Sequence, residues 1–225
     1  MNSLDLRLYG IIDPERTGDR DLVELALAAV AGGCTLLQYR DKNANGRTLV
    51  ERARALKKAL EGSVPLLVND RPDVALAAEA DGVHLGQEDM RPADARRLLG
   101  PGRIVGITIK TPAQADELFR LPADYACIGG VFSTASKDNP EPPIGLDGLG
   151  RIAFRARLAA PGLPVGAIAG IDENNVASVI GAGADGVAVI SALFGGTDPK
   201  AKASELRTAV DRALASRGAV FGAFP

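Results

Sequence analysis

Eight short apolar runs, rich in β-branched residues, recur along the 225-residue chain at 7–12, 34–39, 64–68, 82–85, 103–108, 125–131, 164–169 and 186–190. Each is largely continuous rather than alternating, as parallel strands covered on both faces must be. Ala- and Leu-rich stretches separate them and place helices near 19–31, 46–61, 72–80, 92–99, 112–120, 147–160, 173–182 and 199–215. The clearest start signal is Thr111, Pro112 and Gln114, a capping box with proline at the first helical position, where the missing N–H costs nothing. Asp198 before Pro199, and Asp70 before Pro72, give weaker versions of it. Eight βα units of about 28 residues exceed the five or six strands of a doubly wound sheet. The pattern therefore predicts an α/β fold, one (β/α)8 TIM barrel over 1–225, with its core at about 7–215 and a tail from 218 to 225.

An internal repeat agrees with this layout. Ala80-Asp81-Gly82, Ala123-Asp124-Tyr125 and Ala184-Asp185-Gly186 precede the fourth, sixth and eighth runs. Small residues turning through Asp or Gly into a strand are ordinary helix-to-strand chemistry, so the repeat reads as structural.

Composition narrows the function classes. Hydrophobic residues make up 46% and charged residues 24% of the chain, and no apolar run approaches the roughly 18 residues of a membrane span. A net charge of -2 argues against nonspecific nucleic-acid binding. The first dozen residues lack the pattern of a secretory signal, so a cytoplasmic location is expected. Cys34 and Cys127 are far apart and sit in apolar segments, as core residues do, and with one histidine, His84, they cannot build a four-ligand zinc site.

Barrels of this kind carry their chemistry where the strands end. There the chain places Gln38, Arg40 and Lys42, then Asn69 and Asp70, then Asp89, Thr108, Thr134, Ser136 and Lys137. Arg40, Lys42 and Lys137, from two loops, supply the fork and point charges that a polyphosphate needs. Asp70 and Asp89 are oxygen donors suited to Mg²⁺, which binds few protein groups and keeps its waters. Asp70 also fits a helix N-cap. Gly170 and Ser191, after the seventh and eighth runs, occupy places where barrels hold a single phosphate by backbone N–H groups. His84 lies inside its strand and reads as a packed, hydrogen-bonded side chain. The stretch from 133 to 148, with three prolines, has the length of an active-site cover.

Taken in order, Gln38-Tyr-Arg40-Asp-Lys42, Asn69-Asp70-Arg71, Gly82-Val-His84-Leu-Gly86-Gln87-Glu88-Asp89, Thr134-Ala-Ser136-Lys137-Asp138 and Gly183-Ala-Asp185-Gly186-Val-Ala-Val-Ile-Ser191 resemble the thiamine phosphate synthase family over roughly residues 8 to 192. The resemblance implies a transferase that joins hydroxymethylpyrimidine pyrophosphate to a thiazole phosphate and releases pyrophosphate. It implies that Arg40, Lys42, Asn69 and Lys137 hold the pyrophosphate, with Gln38 near the pyrimidine and Mg²⁺ on Asp70 and Asp89. Thr134 and Ser136 would meet the thiazole, and backbone at Gly170, Ile190 and Ser191 its phosphate. Thr108 replaces a usual Ser and keeps the hydroxyl. Ala169 stands where the family usually has the first of two glycines, Lys110 where relatives often carry His, and Gly130 and Ser133 where they often carry Pro.

The nearest alternatives on the same barrel are a thiazole tautomerase or a non-catalytic regulator that binds thiazole phosphate. Those relatives tend to lose the pyrophosphate cations, and the tautomerase is associated with a His where this chain has Lys110. Small-molecule substrates are the expected partners, and a homo-oligomer is compatible with the sequence.

Overall fold

In the computed structural model, residues 4–134 and 141–221 are described. Eight strands alternate with helices: β1 Leu8–Ile12, α1 Pro14–Thr17, α2 Leu22–Ala31, β2 Leu36–Tyr39, α3 Gly46–Leu60, β3 Leu66–Asn69, α4 Pro72–Ala77, β4 Gly82–Leu85, α5 Pro92–Leu99 and β5 Ile104–Ile109. The second half continues with α6 Pro112–Asp116, a 3₁₀ turn Leu118–Arg120, β6 Tyr125–Ile128, α7 Gly145–Ala159, β7 Val165–Ile168, α8 Val176–Gly181, β8 Gly186–Val189, α9 Ser191–Phe194 and α10 Pro199–Phe221. All neighbouring strands pair in parallel, and β1 pairs with both β2 and β8, so the sheet closes in sequence order. This is the expected (β/α)8 barrel. No helix among the described residues is long and apolar enough to cross a membrane.

Closure sorts each strand's side chains into two cores. Leu8 and Ile12 of β1 face the helices, whereas Tyr9 and Ile11 face inward with Leu36, Leu67, Tyr125, Cys127 and Ala188. Both faces are buried, which is why the strands lack a polar alternation. One inward contact depends on a missing side chain: a Cβ on Gly106 would lie 2.1 Å from the Tyr125 ring, so glycine there admits the tyrosine to the interior. Cys34 and Cys127 are buried and free. Burial pushes both thiols up to about 12, which leaves them inert core residues.

The Asp repeat has a physical role at the amino ends of the strands. Asp81 accepts a hydrogen bond from the Leu66 N–H at 2.8 Å, Asp124 from Val105 at 2.7 Å and Asp185 from Val165 at 3.0 Å. Thr35, preceding β2, does the same for Leu8 at 3.1 Å. Each side chain at the entrance of an even-numbered strand thus satisfies an N–H at the start of the odd-numbered strand before it. The three carboxylates are in turn paired with Lys57, Arg96, and both Arg157 and Arg217.

Element boundaries differ from the sequence expectation where local chemistry intervenes. Asp21 accepts from the N–H groups of Val23 and Glu24 and starts α2 there, not at 19. Gly129 and Gly130, the latter at φ 73°, end β6 early. The expected helix at 112–120 divides into α6 and the 3₁₀ turn, whereas the one expected to end at 215 runs to Phe221. Both halves of the Thr111 capping box are made, and Asp198 accepts from the Ala201 N–H at 2.9 Å. Two one-turn helices, α1 and α9, were not foreseen, being too short to show a period.

Replacing Asp124 by Ala leaves the Val105 N–H without its acceptor, and should cost about 2 kcal/mol. For a chain of this size that lowers Tm by about 4–8 °C. Thermal unfolding measures the loss, and ligand binding at the other end of the barrel should be unchanged.

Candidate active site

The carboxyl ends of the strands open into one cleft of about 560 Å³. Among the expected site residues, Gln38, Arg40, Asn69, Thr108, Thr134, Gly170, Ile190 and Ser191 line it. Lys42, Asp70 and Asp89 do not line it; they gather beside one another where Asp70 directly follows Asn69, which does. Ser136 and Lys137 lie outside the described residues.

One pole is ionic. Arg40, just past β2, forms an ion pair with Asp13, a residue that the sequence reading overlooked although it directly follows β1. Asp13 is buried, so the guanidinium is fixed against a charge that water cannot screen. Lys42, half exposed, pairs with Asp70. The Asp70 carboxyl also neighbours that of Asp89, whose Oδ2 accepts from the Gly86 N–H at 2.7 Å. Burial opposes ionisation of Asp70, but its hydrogen bonds with Asp89 and Lys42 outweigh it and hold Asp70 below the ordinary carboxylate range. Asp89 is raised, by burial first and by the neighbouring Asp70 charge next.

The capping alternative for Asp70 fails on geometry. The residue before α4 is Arg71, no side chain caps that helix, and Asp70 sits at φ 59° with its carboxyl turned to Lys42 and Asp89. A non-glycine residue in the left-handed region is a local cost of about 1–2 kcal/mol, here directed toward the site. Two touching carboxylates fit Mg²⁺, which takes one or two carboxylates and completes its shell with water and phosphate oxygens. The described residues contain no group of three or more His, Cys, Asp or Glu able to hold a metal, so ligand oxygens would have to finish the shell.

The opposite pole is built from backbone. After β7 the chain passes through Ala169 at φ 98° and Gly170 at φ 64°. A Cβ on Gly170 would lie 2.4 Å from the Ser133 carbonyl oxygen, so only glycine fits. Asn175 holds this bend by donating to the Gly170 carbonyl at 2.8 Å. Ile190 and Ser191 lead into α9, whose far end is held by Arg20, donating to the carbonyls of Phe194, Gly196 and Thr17. Lys202 of α10 and Glu173, joined by an ion pair, complete the wall.

Between the poles lies a polar floor. Gln38 donates to the Tyr9 hydroxyl, Tyr125 donates to the same hydroxyl at 3.0 Å, and His84 Nδ1 bonds Tyr125 at 2.7 Å. His84 Nε2 reaches Thr108 Oγ1 at 2.8 Å. The histidine is thus packed in β4 and hydrogen-bonded to side chains of β5 and β6, in keeping with its expected role as a packed, hydrogen-bonded residue. Tyr9 and Tyr125 were missed as site residues; their inward register was the available signal, but tyrosine in an apolar run passes for core.

A closed (β/α)8 barrel with these groups gathered at and around one cleft at the strand ends is an enzyme scaffold. The thiamine monophosphate synthase family model matches residues 8–193. The thiamine-phosphate synthase of Agrobacterium fabrum is 50% identical over 218 residues, covering 96% of this chain and 99% of that protein. That of Moorella thermoacetica is 45% identical over 207 residues, 92% of this chain and 96% of that protein. Among solved structures, the thiamine phosphate pyrophosphorylase of Pyrococcus furiosus superposes with a TM-score of 0.81 at 37% identity, over 94% of this chain and 98% of that one. The chain belongs to the thiamine monophosphate synthase family, and with it to the transferases.

Ala169 gives a test of this local geometry. Alanine at φ 98° is strained, and the Ala169→Gly variant should gain about 0.5–1 kcal/mol after its greater unfolded-state entropy is subtracted. A Tm about 1–4 °C higher is the expected reading.

Proposed function

We propose that this chain condenses hydroxymethylpyrimidine pyrophosphate with thiazole phosphate to give thiamine phosphate and pyrophosphate. The observation that carries the reading is one cleft with two unlike poles: paired cations and carboxylates at one end, glycine backbone at the other. A substrate pair with a pyrophosphate on one partner and a single phosphate on the other fits that asymmetry, and the relatives' names agree with it.

The chemistry follows from the charges. Breaking the bond between the pyrimidine methylene and its oxygen sends the electron pair to the departing pyrophosphate and leaves a cation that the electron-rich aminopyrimidine delocalises. The thiazole nitrogen lone pair then forms the new C–N bond. No protein nucleophile is required. Arg40, fixed by Asp13, and Lys42 hold the leaving group, with Asn69 and Lys137 beside them. Such groups act most as negative charge develops on the departing oxygens. Mg²⁺, when bound at Asp70 and Asp89, would supply further neutralisation of the same charge. Gln38 faces the pyrimidine, Thr108, Thr134 and Ser136 flank the substrates, and backbone at Gly170, Ile190 and Ser191 takes the thiazole phosphate. Holding the two partners together makes capture of the cation effectively unimolecular. The tautomerase alternative is disfavoured because Lys110 stands where that activity would want a histidine.

Thiamine phosphate formed from the two substrates, measured with and without EDTA, tests the assignment. Activity should vanish in EDTA and return with Mg²⁺; full turnover without metal would remove the cation from the mechanism. Asp89→Ala should abolish turnover with little change in Tm, and wild-type turnover would make Asp89 a mere surface charge. Lys137→Ala should lower kcat as well as raise the KM for the pyrimidine substrate, by about 2–4 kcal/mol in kcat/KM, roughly 30- to 1000-fold. Unchanged kinetics would take Lys137 out of the site.

A further inference from the structure

A phosphate ester carries about two negative charges at neutral pH, and backbone N–H groups offer it only partial charges in return. At the backbone pole Gly170, Ile190 and Ser191 bring no formal charge, and two acids, Asp172 and Glu173, line the cleft with them. A dianion placed there meets like charge unless a cation stands beside it. Among the described residues the cations that line the cleft are Arg40, Lys110 and Lys202. Arg40 is held by Asp13 at the ionic pole, and Lys110 follows β5, two strands from β7, where it pairs with Glu141. Lys202 is the one at this pole, and it bridges the two walls. Glu173 lies three residues past Gly170, in the turn from β7 to α8, whereas Lys202 sits in the first turn of α10, beyond the β8 and α9 segment that carries Ile190 and Ser191. Its Nζ donates to Glu173 Oε1 at 3.1 Å and to Glu205 Oε2 at 2.9 Å. An ammonium has three N–H donors, so one remains for a ligand after both carboxylates are served. The turn itself is fixed in place: Asp198 accepts from the Ala201 N–H at 2.9 Å, and the Lys200 carbonyl packs so closely on Gly32 that a Cβ there would meet it at 2.2 Å.

We propose that Lys202 is a substrate-binding residue at the backbone pole, its ammonium shared between Glu173 and the single phosphate, and that it sets the preference for a phosphorylated over an unphosphorylated thiazole. This rests on the proposed function for the identity of the ligand. Glu173 acts in the opposite sense. A hydrogen bond from its own backbone N–H first, and the Lys202 ammonium next, hold its carboxyl below the ordinary glutamate range, so it is ionised at neutral pH and competes with the phosphate for the same cation. Removing the cation weakens the hold on a phosphate and removing the carboxylate strengthens it. A thiazole that carries no phosphate feels neither change.

Calorimetric titration of the whole protein with thiazole phosphate, the corresponding thiazole alcohol and hydroxymethylpyrimidine pyrophosphate reads these effects. For Lys202→Met, thiazole phosphate should bind about tenfold more weakly while the alcohol and the pyrimidine bind as before, so that the preference for the phosphorylated thiazole shrinks by the same factor. Lys202→Arg, which keeps the charge, should retain the preference. For Glu173→Gln, thiazole phosphate should bind about threefold more tightly, again with the alcohol unchanged. A phosphate-to-alcohol preference unchanged in Lys202→Met overturns the proposal, as does equal weakening of all three ligands, which would make Lys202 a structural residue of α10. If the wild-type protein binds thiazole phosphate but forms no thiamine phosphate, the proposed reaction falls and the same titrations decide the role of Lys202; if it does not bind thiazole phosphate, both fall.

Discussion

A closed barrel has no wet interior face, so every polar group that points inward must find its partner inside the protein. That constraint governs what this chain can place beneath its cleft. Five polar side chains from five strands enter the interior, and they do so as one connected chain of hydrogen bonds from Thr108 to Gln38. A break anywhere would leave a buried hydroxyl or imidazole short of a partner. The floor is consequently stiff, and it passes that stiffness to Gln38, whose amide lines the cleft. Gly106 belongs to the same arrangement, because any side chain there would exclude the Tyr125 ring from the interior.

The ionic pole follows the same rule by a different route. Arg40 is neutralised by Asp13 and Lys42 by Asp70, while Asp89 accepts from the Gly86 N–H beside them. The protein without ligand therefore holds its charges in compensated pairs rather than as a bare cationic patch. If the proposed anion and divalent cation bind here together, they exchange partners within this set and leave neither charge exposed. A polyphosphate bound without its cation, or a cation without its anion, would leave one member of the set uncompensated. On the proposed assignment the two would be energetically coupled through Asp70 and Lys42, which form one ion pair.

Much of this was legible in the sequence because its signals are local and periodic. Eight continuous apolar runs at regular spacing permit few folds, and the strand-end rule located Arg40, Asn69, Asp70 and Gly170 without coordinates. What escaped was of two kinds. One-turn helices such as α1 and α9 have no period to detect, and α9 depends on Arg20, 171 positions before Ser191 in the chain, to hold its last carbonyls. Tyr9 and Tyr125 escaped because an inward tyrosine and a core tyrosine look identical until the hydroxyl's partner is known. Asp13 could have been found by the rule already in use, since it directly follows the first strand. Asp70 fitted both a cap and a ligand at the sequence level, and the uncapped start of α4 with the backbone turn at φ 59° excludes the cap.

The side chains at the entrances of even-numbered strands tie β1 to β2, β3 to β4, β5 to β6 and β7 to β8 at the amino end, and no equivalent carboxylate was found linking the pairs to one another among the described residues. The barrel is in this respect four two-strand modules rather than eight equal ones. A split after an even-numbered unit keeps every such tie within one piece, whereas a split after an odd-numbered unit severs one and strands a carboxylate beside an empty N–H. Half-barrels cut at the even boundaries are accordingly the fragments best equipped to fold apart and reassemble, and the same boundaries are where a duplicated or exchanged segment would meet its new neighbours with all of its own ties intact.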